Sequence, residues 1–228
     1  AGCGKAARPE FCEGCTTVRG APTRPSKKLL SRRGGFGMKC KCFSICGSHG
    51  VGKTTIINKF KVAYPNYIYI DEATRTVMPE LGFKNPYDFV DQYGIAYYEA
   101  VIMSQWSALP LITEKANSPI ILDRSPVDNF AYYKMLRKDN EKKYEVILER
   151  LCRMYCKYID VYLFIPTGVF ELVPDSMQVK ETQQELECII KELFAYFQLE
   201  YQVITSKSAV ERFNEIEKIV EEKHYGKD

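Results

Sequence analysis

Gly47-Ser48-His49-Gly50-Val51-Gly52-Lys53-Thr54-Thr55, GSHGVGKTT, is a complete GxxxxGKT phosphate-binding pattern. The apolar run Lys41 to Cys46 before it reads as a strand, and Ile56, Ile57 and Phe60 after it supply one apolar face of a helix. Strand, glycine-rich loop and helix is the setting in which successive backbone N–H groups and the helix N-terminus turn toward a phosphate. Lys53 then reaches the β and γ phosphates, and Thr54 places a hydroxyl where Mg²⁺ bridges them. Ser48, His49 and Val51 belong to the same loop; the side chains of Ser48 and His49, at variable positions, read as bystanders.

Working outward, Tyr64-Pro65-Asn66 is a turn, and Tyr67 to Ile70 alternates aromatic and β-branched residues as a buried strand does. That strand ends in Asp71 and Glu72, so both acids fall on the rim where ligands bind in open parallel sheets. Pro79, Gly82 and Pro86 mark a loop, and one long helix is predicted from Tyr87 to about Leu109. Asn117-Ser118-Pro119 breaks the pattern before Ile120 to Leu122, a continuous apolar run suited to a central parallel strand and closed by Asp123, Arg124 and Ser125. Helices are predicted at about Val127 to Arg137, Tyr144 to Tyr158, 179 to 198 and 207 to 223, strands at Val161 to Ile165 and 201 to 205, and a mobile loop at 167 to 178. The order βαβαβααβαβα defines an α/β fold, a P-loop NTPase with a parallel five-stranded sheet and helices on both faces.

Composition narrows the function classes. The chain has 228 residues, 46% hydrophobic and 27% charged, enough for one well-packed domain. The net charge of +3 conceals an asymmetry, because residues 1–37 carry eight of the 32 Lys and Arg but two of the 29 Asp and Glu. The remaining 24 basic and 27 acidic residues give the rest of the chain about −3, which argues against a broad nucleic-acid surface. Residues 1–37, rich in Gly, Pro, Arg, Ser and Thr, read as a disordered basic tail, a leader or an added extension, with Met38 resembling a natural first residue and 38–228 forming the folded domain. No apolar run approaches the roughly 20 residues of a membrane span. Nine cysteines, several in strand or helix contexts, point to a reducing cytoplasm. Cys12, Cys15, Cys40 and Cys42 do not match a zinc site well, because the second pair is CxC and Cys42 opens a strand.

Phosphoryl transfer needs a metal-holding acid, a group that takes the acceptor's proton, and cations for the transferring charge. Asp123 with Thr54 is the candidate metal pair; Glu72 or Asp71 is the candidate base; Arg75 and Arg124 are candidate forks for an anionic or hydroxylated acceptor. Gln105 and Ser125 complete the candidate acceptor contacts. Phe89, Tyr93, Tyr97 and Trp106 suit base stacking, although aromatics at helical spacing are more often core.

GSHGVGKTT, Glu72 to Arg75 (EATR) and Asp123 to Tyr132 (DRSPVDNFAY), in this order, resemble the P-loop small-molecule kinases, above all the group of nicotinamide riboside kinase domains. The DRS stretch is also similar to deoxynucleoside and thymidylate kinases. The resemblance spans roughly residues 40 to 220 and implies ATP and Mg²⁺ as cofactors and a small nucleoside or nucleotide acceptor. It further implies Lys53, Glu72, Asp123 and Arg124 as the catalytic group, and a homodimer as a candidate assembly. One departure stands out: Pro166 to Thr182, where such kinases carry lid arginines, holds only Lys180, leaving Lys180, Arg150 or Arg153 as substitutes. Competing readings are a nucleotide-dependent switch with slow hydrolysis and, less favoured, a polynucleotide 5′-kinase. A GTPase is disfavoured, since no DxxG follows the second strand and Asn58-Lys59 lacks the Asp of NKxD.

Overall fold

The computed structural model describes residues 42–168 and 180–226. The N-terminal tail, Cys3, Cys12, Cys15 and Cys40, most of the predicted lid loop, and the side chains of Arg75 and Lys180 lie outside them.

Three strands form the interior of the sheet because they are apolar on both faces. They are β1 (Cys42–Cys46), β3 (Ile120–Asp123) and β4 (Val161–Phe164), each buried along its whole length. At the edges lie β2 (Ile68–Ile70), half-buried rather than buried as its pattern suggested, and β5 (Gln202–Val203), exposed and shorter than expected. All pairings are parallel, in the order β2-β3-β1-β4-β5. Side chains on the two faces of β1 enter two separate cores. Phe43 and Ile45 meet α1 (Lys53–Ala63) and α9 (Ala209–Tyr225) through Ile56, Phe60, Ile216 and Val220. Cys42 and Cys46 enter the larger core, with α6 (Pro126–Leu136), α7 (Glu145–Cys156) and α8 (Lys180–Phe197). Helices therefore cover both faces, as expected.

The long helix predicted over Tyr87 to Leu109 is instead broken. It resolves into α3 (Pro86–Tyr93), α4 (Ile95–Met103) and a 3-10 turn (Ser104–Ala108), followed by α5 (Leu109–Lys115). Gly94 causes the first break: its φ is +88° and its ψ 158°, outside any helical conformation. The Glu141 carboxylate accepts a hydrogen bond from Ala96 N at 3.0 Å, capping α4 from a distant turn. A Cβ at Gly94 would lie 2.6 Å from that carboxylate oxygen, so only glycine admits the cap. The stretch read as a loop around Pro79 contains a short helix, α2 (Thr74–Glu80), with the proline in its last turn.

Candidate active site

The phosphate loop, Glu72, Asp123 and Arg124 all stand at the carboxyl ends of strands. The phosphate loop leaves β1 at Gly47, Glu72 follows β2, and Asp123 and Arg124 close β3. A Cβ on Gly47 would fall 2.5 Å from the Ile165 carbonyl oxygen, so the loop's first turn passes directly over the end of β4. Its N–H is donated to Asp128 Oδ1 at 2.9 Å. Asp128 also accepts from Ser125 N and Ser125 Oγ, at 2.8 and 2.6 Å, in a capping box at the start of α6. One fully buried carboxylate thus ties the loop to the segment after β3. From the other side Arg212 of α9 donates to Val51 O at 3.0 Å and to Lys207 O at 2.7 Å. Gln183 of α8 donates to His49 O at 2.8 Å.

Lys53 lies inside the loop, where its ammonium donates to Gly47 O at 2.8 Å and Ser48 O at 2.6 Å. Burial, reinforced by the nearby Arg124, lowers its pKa to about 8. Thr54 Oγ1 donates to Asp123 Oδ2 at 3.2 Å. Asp123 is buried and its pKa is raised by desolvation, with Lys53 and Arg124 acting against the rise. Its Oδ1 has no hydrogen-bond partner among the described residues. A hydroxyl beside a buried carboxylate with one unsatisfied oxygen is a donor set that fits Mg²⁺.

Arg124 is held in the left-handed region, φ +79°, unusual for a residue with a side chain. Its N–H is donated to Ile45 O at 3.1 Å and its carbonyl accepts from Ser44 Oγ at 2.8 Å, and these two bonds hold the conformation. The guanidinium Nε lies 2.8 Å from Glu72 Oε1 and its carbon 4.9 Å from the centre of the Tyr132 ring. Tyr132 OH is in turn 3.2 Å from His49 Nδ1, so the His49 side chain is engaged in the network that positions Arg124.

Lys53, Thr54, Glu72, Asp123 and Arg124 are brought together. Asp71 is not with them: its carboxylate pairs with Lys61 of α1 at 2.6 Å on the surface. Ser125 is completely buried and caps α6, with its hydroxyl turned to Val127 N and Asp128 N instead of an acceptor. Gln105 lies in the 3-10 turn beyond α4. Phe89 and Trp106 are core, and Tyr93 and Tyr97 are about half exposed. Arg153 pairs with Glu149 at 2.9 Å and covers Tyr196 and Phe197, which commits it to the α7–α8 surface and not to a lid.

Two participants escape a reading by motif. Asp128 sits inside the DRSPVDNFAY stretch, and the signal for it is the Ser-x-x-Asp spacing of a capping box. Glu99 of α4 is 1% exposed, and its Oε2 has no hydrogen-bond partner among the described residues. Desolvation raises its pKa well above the usual carboxylate range, while an Asn129 hydrogen bond and the charge of Arg124 oppose the shift. Its signal is being the one charge in the apolar helix IAYYEAVIM.

This strand order and loop define a P-loop NTPase fold. A family model described as AAA domain matches residues 42–212, and the chain belongs to that family. No curated protein matches the sequence. Among solved structures, the chain is similar to NadR protein in complex with NR, at 18% identity and TM-score 0.63, over 82% of this chain and 50% of that one. It therefore spans half the length of the NadR chains it matches. It is also similar to thymidylate kinase from Candida albicans, at 13% identity and TM-score 0.55, over 83% of this chain and 94% of that one. Deoxyadenosine kinase from M. mycoides with bound dATP matches at 14% identity and TM-score 0.53, over 78% and 98%. The resemblance read from the three motifs holds at the level of the fold. No helix among the described residues is long and apolar enough to cross a membrane.

Proposed function

We propose that the protein is an ATP-dependent phosphotransferase that moves the γ-phosphoryl group to a small nucleoside, nucleotide or related acceptor. The observation that carries this reading is the Glu72–Arg124 pair beside the phosphate loop and the Thr54–Asp123 pair, a carboxylate able to take a proton and a guanidinium able to offset phosphoryl charge. The solved structures of similar fold, crystallised with NR, NAD and AMP-PNP, dCMP and dATP, support the choice of substrate class.

In this reading Lys53 exchanges its two loop carbonyls for phosphate oxygens. The acceptor oxygen forms a bond to the γ-phosphorus as the bond to the β–γ bridging oxygen breaks, and the bridging oxygen leaves with the electron pair on ADP. Glu72 takes the acceptor's proton, and Arg124, held rigid by Tyr132 and its two backbone bonds, stabilises the charge on the transferring group. Thr54 and Asp123 would hold Mg²⁺, which when bound neutralises charge on the β and γ phosphates. Free buried thiols at Cys42, Cys46, Cys152 and Cys156 support a reducing, cytoplasmic setting.

The test is incubation with Mg²⁺, ATP and pooled nucleosides, nicotinamide riboside and nucleoside monophosphates, with products read by mass and Lys53→Ala as control. One acceptor gaining a single phosphoryl group, lost in the variant, is the expected result. ATP binding with no acceptor modified would replace the kinase by a nucleotide-dependent switch.

A further inference from the structure

A cleft of about 670 Å³ lies between α3, α4 and the segment from Lys138 to α7, and none of the phosphate-loop or strand-end residues lines it. Its volume is that of a small-molecule site. The break at Gly94 forms part of its wall, with Tyr93 and Tyr97 on one side and Tyr144 on the other. These three rings are 50%, 56% and 41% exposed, although each is large enough to be covered at modest cost. Tyr97 is fixed by stacking on buried Phe89 at 5.7 Å, and Tyr93 meets Tyr97 edge-on at 5.9 Å. The rings form a preorganised surface.

The charges are arranged unevenly. Neighbouring cations outside the cleft are paired, Lys134 and Arg137 with Glu145, and Lys142 with Asp139. Lys138 and Lys143, both in the lining, carry no ion pair among the described residues, and the Lys143 ammonium lies 5.0 Å from the centre of the Tyr144 ring. Glu141 also lines the cleft, but its two carboxylate oxygens are committed to Ala96 N and Lys138 N, each at 3.0 Å. Hydrogen bonding of both oxygens weakens its repulsion of an anion. Asp91 contributes a carboxylate from α3, a partner for a ring N–H or amino group.

We propose that this cleft is a second binding site, for a nucleoside monophosphate: the base covers the tyrosines and reaches Asp91, and the phosphate meets Lys138 and Lys143. Occupancy bears on α4, because the cleft lies against Tyr97 and Ala100 while the same helix carries Glu99 into the candidate active site and Tyr98, bonded to Thr74 at 2.8 Å, toward α2. The cleft is thus placed to regulate the chemistry through one helix whose N-terminal cap, Glu141, is itself part of the site. Binding here is independent of whether the protein transfers phosphate.

Isothermal titration of the full chain with adenosine monophosphate, adenosine and ribose 5-phosphate tests this, comparing wild type with Lys53→Ala, Tyr97→Ala and the double variant Lys138→Glu/Lys143→Glu. The expected result is adenosine monophosphate binding that survives Lys53→Ala and weakens roughly tenfold or more in each cleft variant. Adenosine and ribose 5-phosphate, each lacking half of the recognised chemistry, should bind more weakly. Circular dichroism confirms that the variants are folded, and the exposed positions of Tyr97, Lys138 and Lys143 make this the expectation for the cleft variants. No binding to Lys53→Ala, or binding indifferent to the cleft variants, overturns the proposal. So does a change from dimer to monomer in Tyr97→Ala by sedimentation, which would make the face an interface between copies.

Discussion

Replacing Asp128 with alanine should cost more than any other single change near the loop, although Asp128 is not expected to touch a substrate. The carboxylate is fully buried and accepts three hydrogen bonds, from Gly47 N, Ser125 N and Ser125 Oγ. The serine hydroxyl can rotate to other partners, but the two backbone N–H groups are left buried and unpaired. Each stranded donor costs about 1–3 kcal/mol, and the removed acceptor is charged, so a loss of about 3–5 kcal/mol is expected. For a domain of this size that is a fall in Tm of roughly 10 °C. Urea unfolding monitored by circular dichroism measures the loss, and titration with ATP should show weakened affinity because Gly47 no longer has its anchor. Asp128→Asn should fall between, since one amide oxygen still serves Gly47 while the NH2 faces the Ser125 N–H. A loss below about 1 kcal/mol for the alanine variant would refute the view that Asp128 carries the start of the loop.

Lys53 has a pKa of about 8, below its ordinary value of 10.5, so the empty loop sheds this proton as the pH rises through about 8 and a bound phosphate restores it. Nucleotide binding at pH 9 should therefore take up a fraction of a proton, measurable by calorimetry in buffers of different ionisation enthalpy, and Lys53→Met should abolish the uptake. Glu99 has its pKa raised by burial, so between the normal carboxylate pKa and the raised folded-state one the folded protein holds a proton that the unfolded chain has already released. Stability should fall as the pH rises through that interval, and Glu99→Gln should flatten the dependence in urea melts taken from pH 4 to 8. Gly94→Ala places a methyl group 2.6 Å from the Glu141 carboxylate at a φ of +88° and should cost about 2–4 kcal/mol; denaturation of the variant checks this, and an unchanged midpoint would remove the glycine's role in the helix break.

What was legible in the sequence was local. The phosphate loop, the burial of β1, β3 and β4, and the Asp123-Arg124-Ser125 turn follow from residue types within a few positions of one another. The adjacent acids Asp71 and Glu72 could not be separated by their place at the strand end, and only the EATR resemblance favoured Glu72; the physical reason is that successive side chains there point to opposite sides. Lys61 takes one and Arg124 the other. The break in the predicted long helix was hidden because the carboxylate that caps α4 lies 45 residues downstream. Tyr93 and Tyr97 looked like base-stacking or core residues, and only the three-dimensional arrangement puts them on a separate cleft. Ser125 looked like a substrate contact because it follows Arg124, whereas its spacing to Asp128 makes it a cap.

Placing β1 at the centre of the sheet has a consequence for how the protein is made. Phe43 pairs with Ile121 on one side and Val161 on the other, so the strand that launches the phosphate loop must wait for neighbours 78 and 118 residues later in the chain. Arg212 ties the loop from 161 residues beyond Val51. During synthesis the nascent chain should carry the full GSHGVGKTT sequence long before it can grip a nucleotide, acquiring that ability only once β4 has left the ribosome.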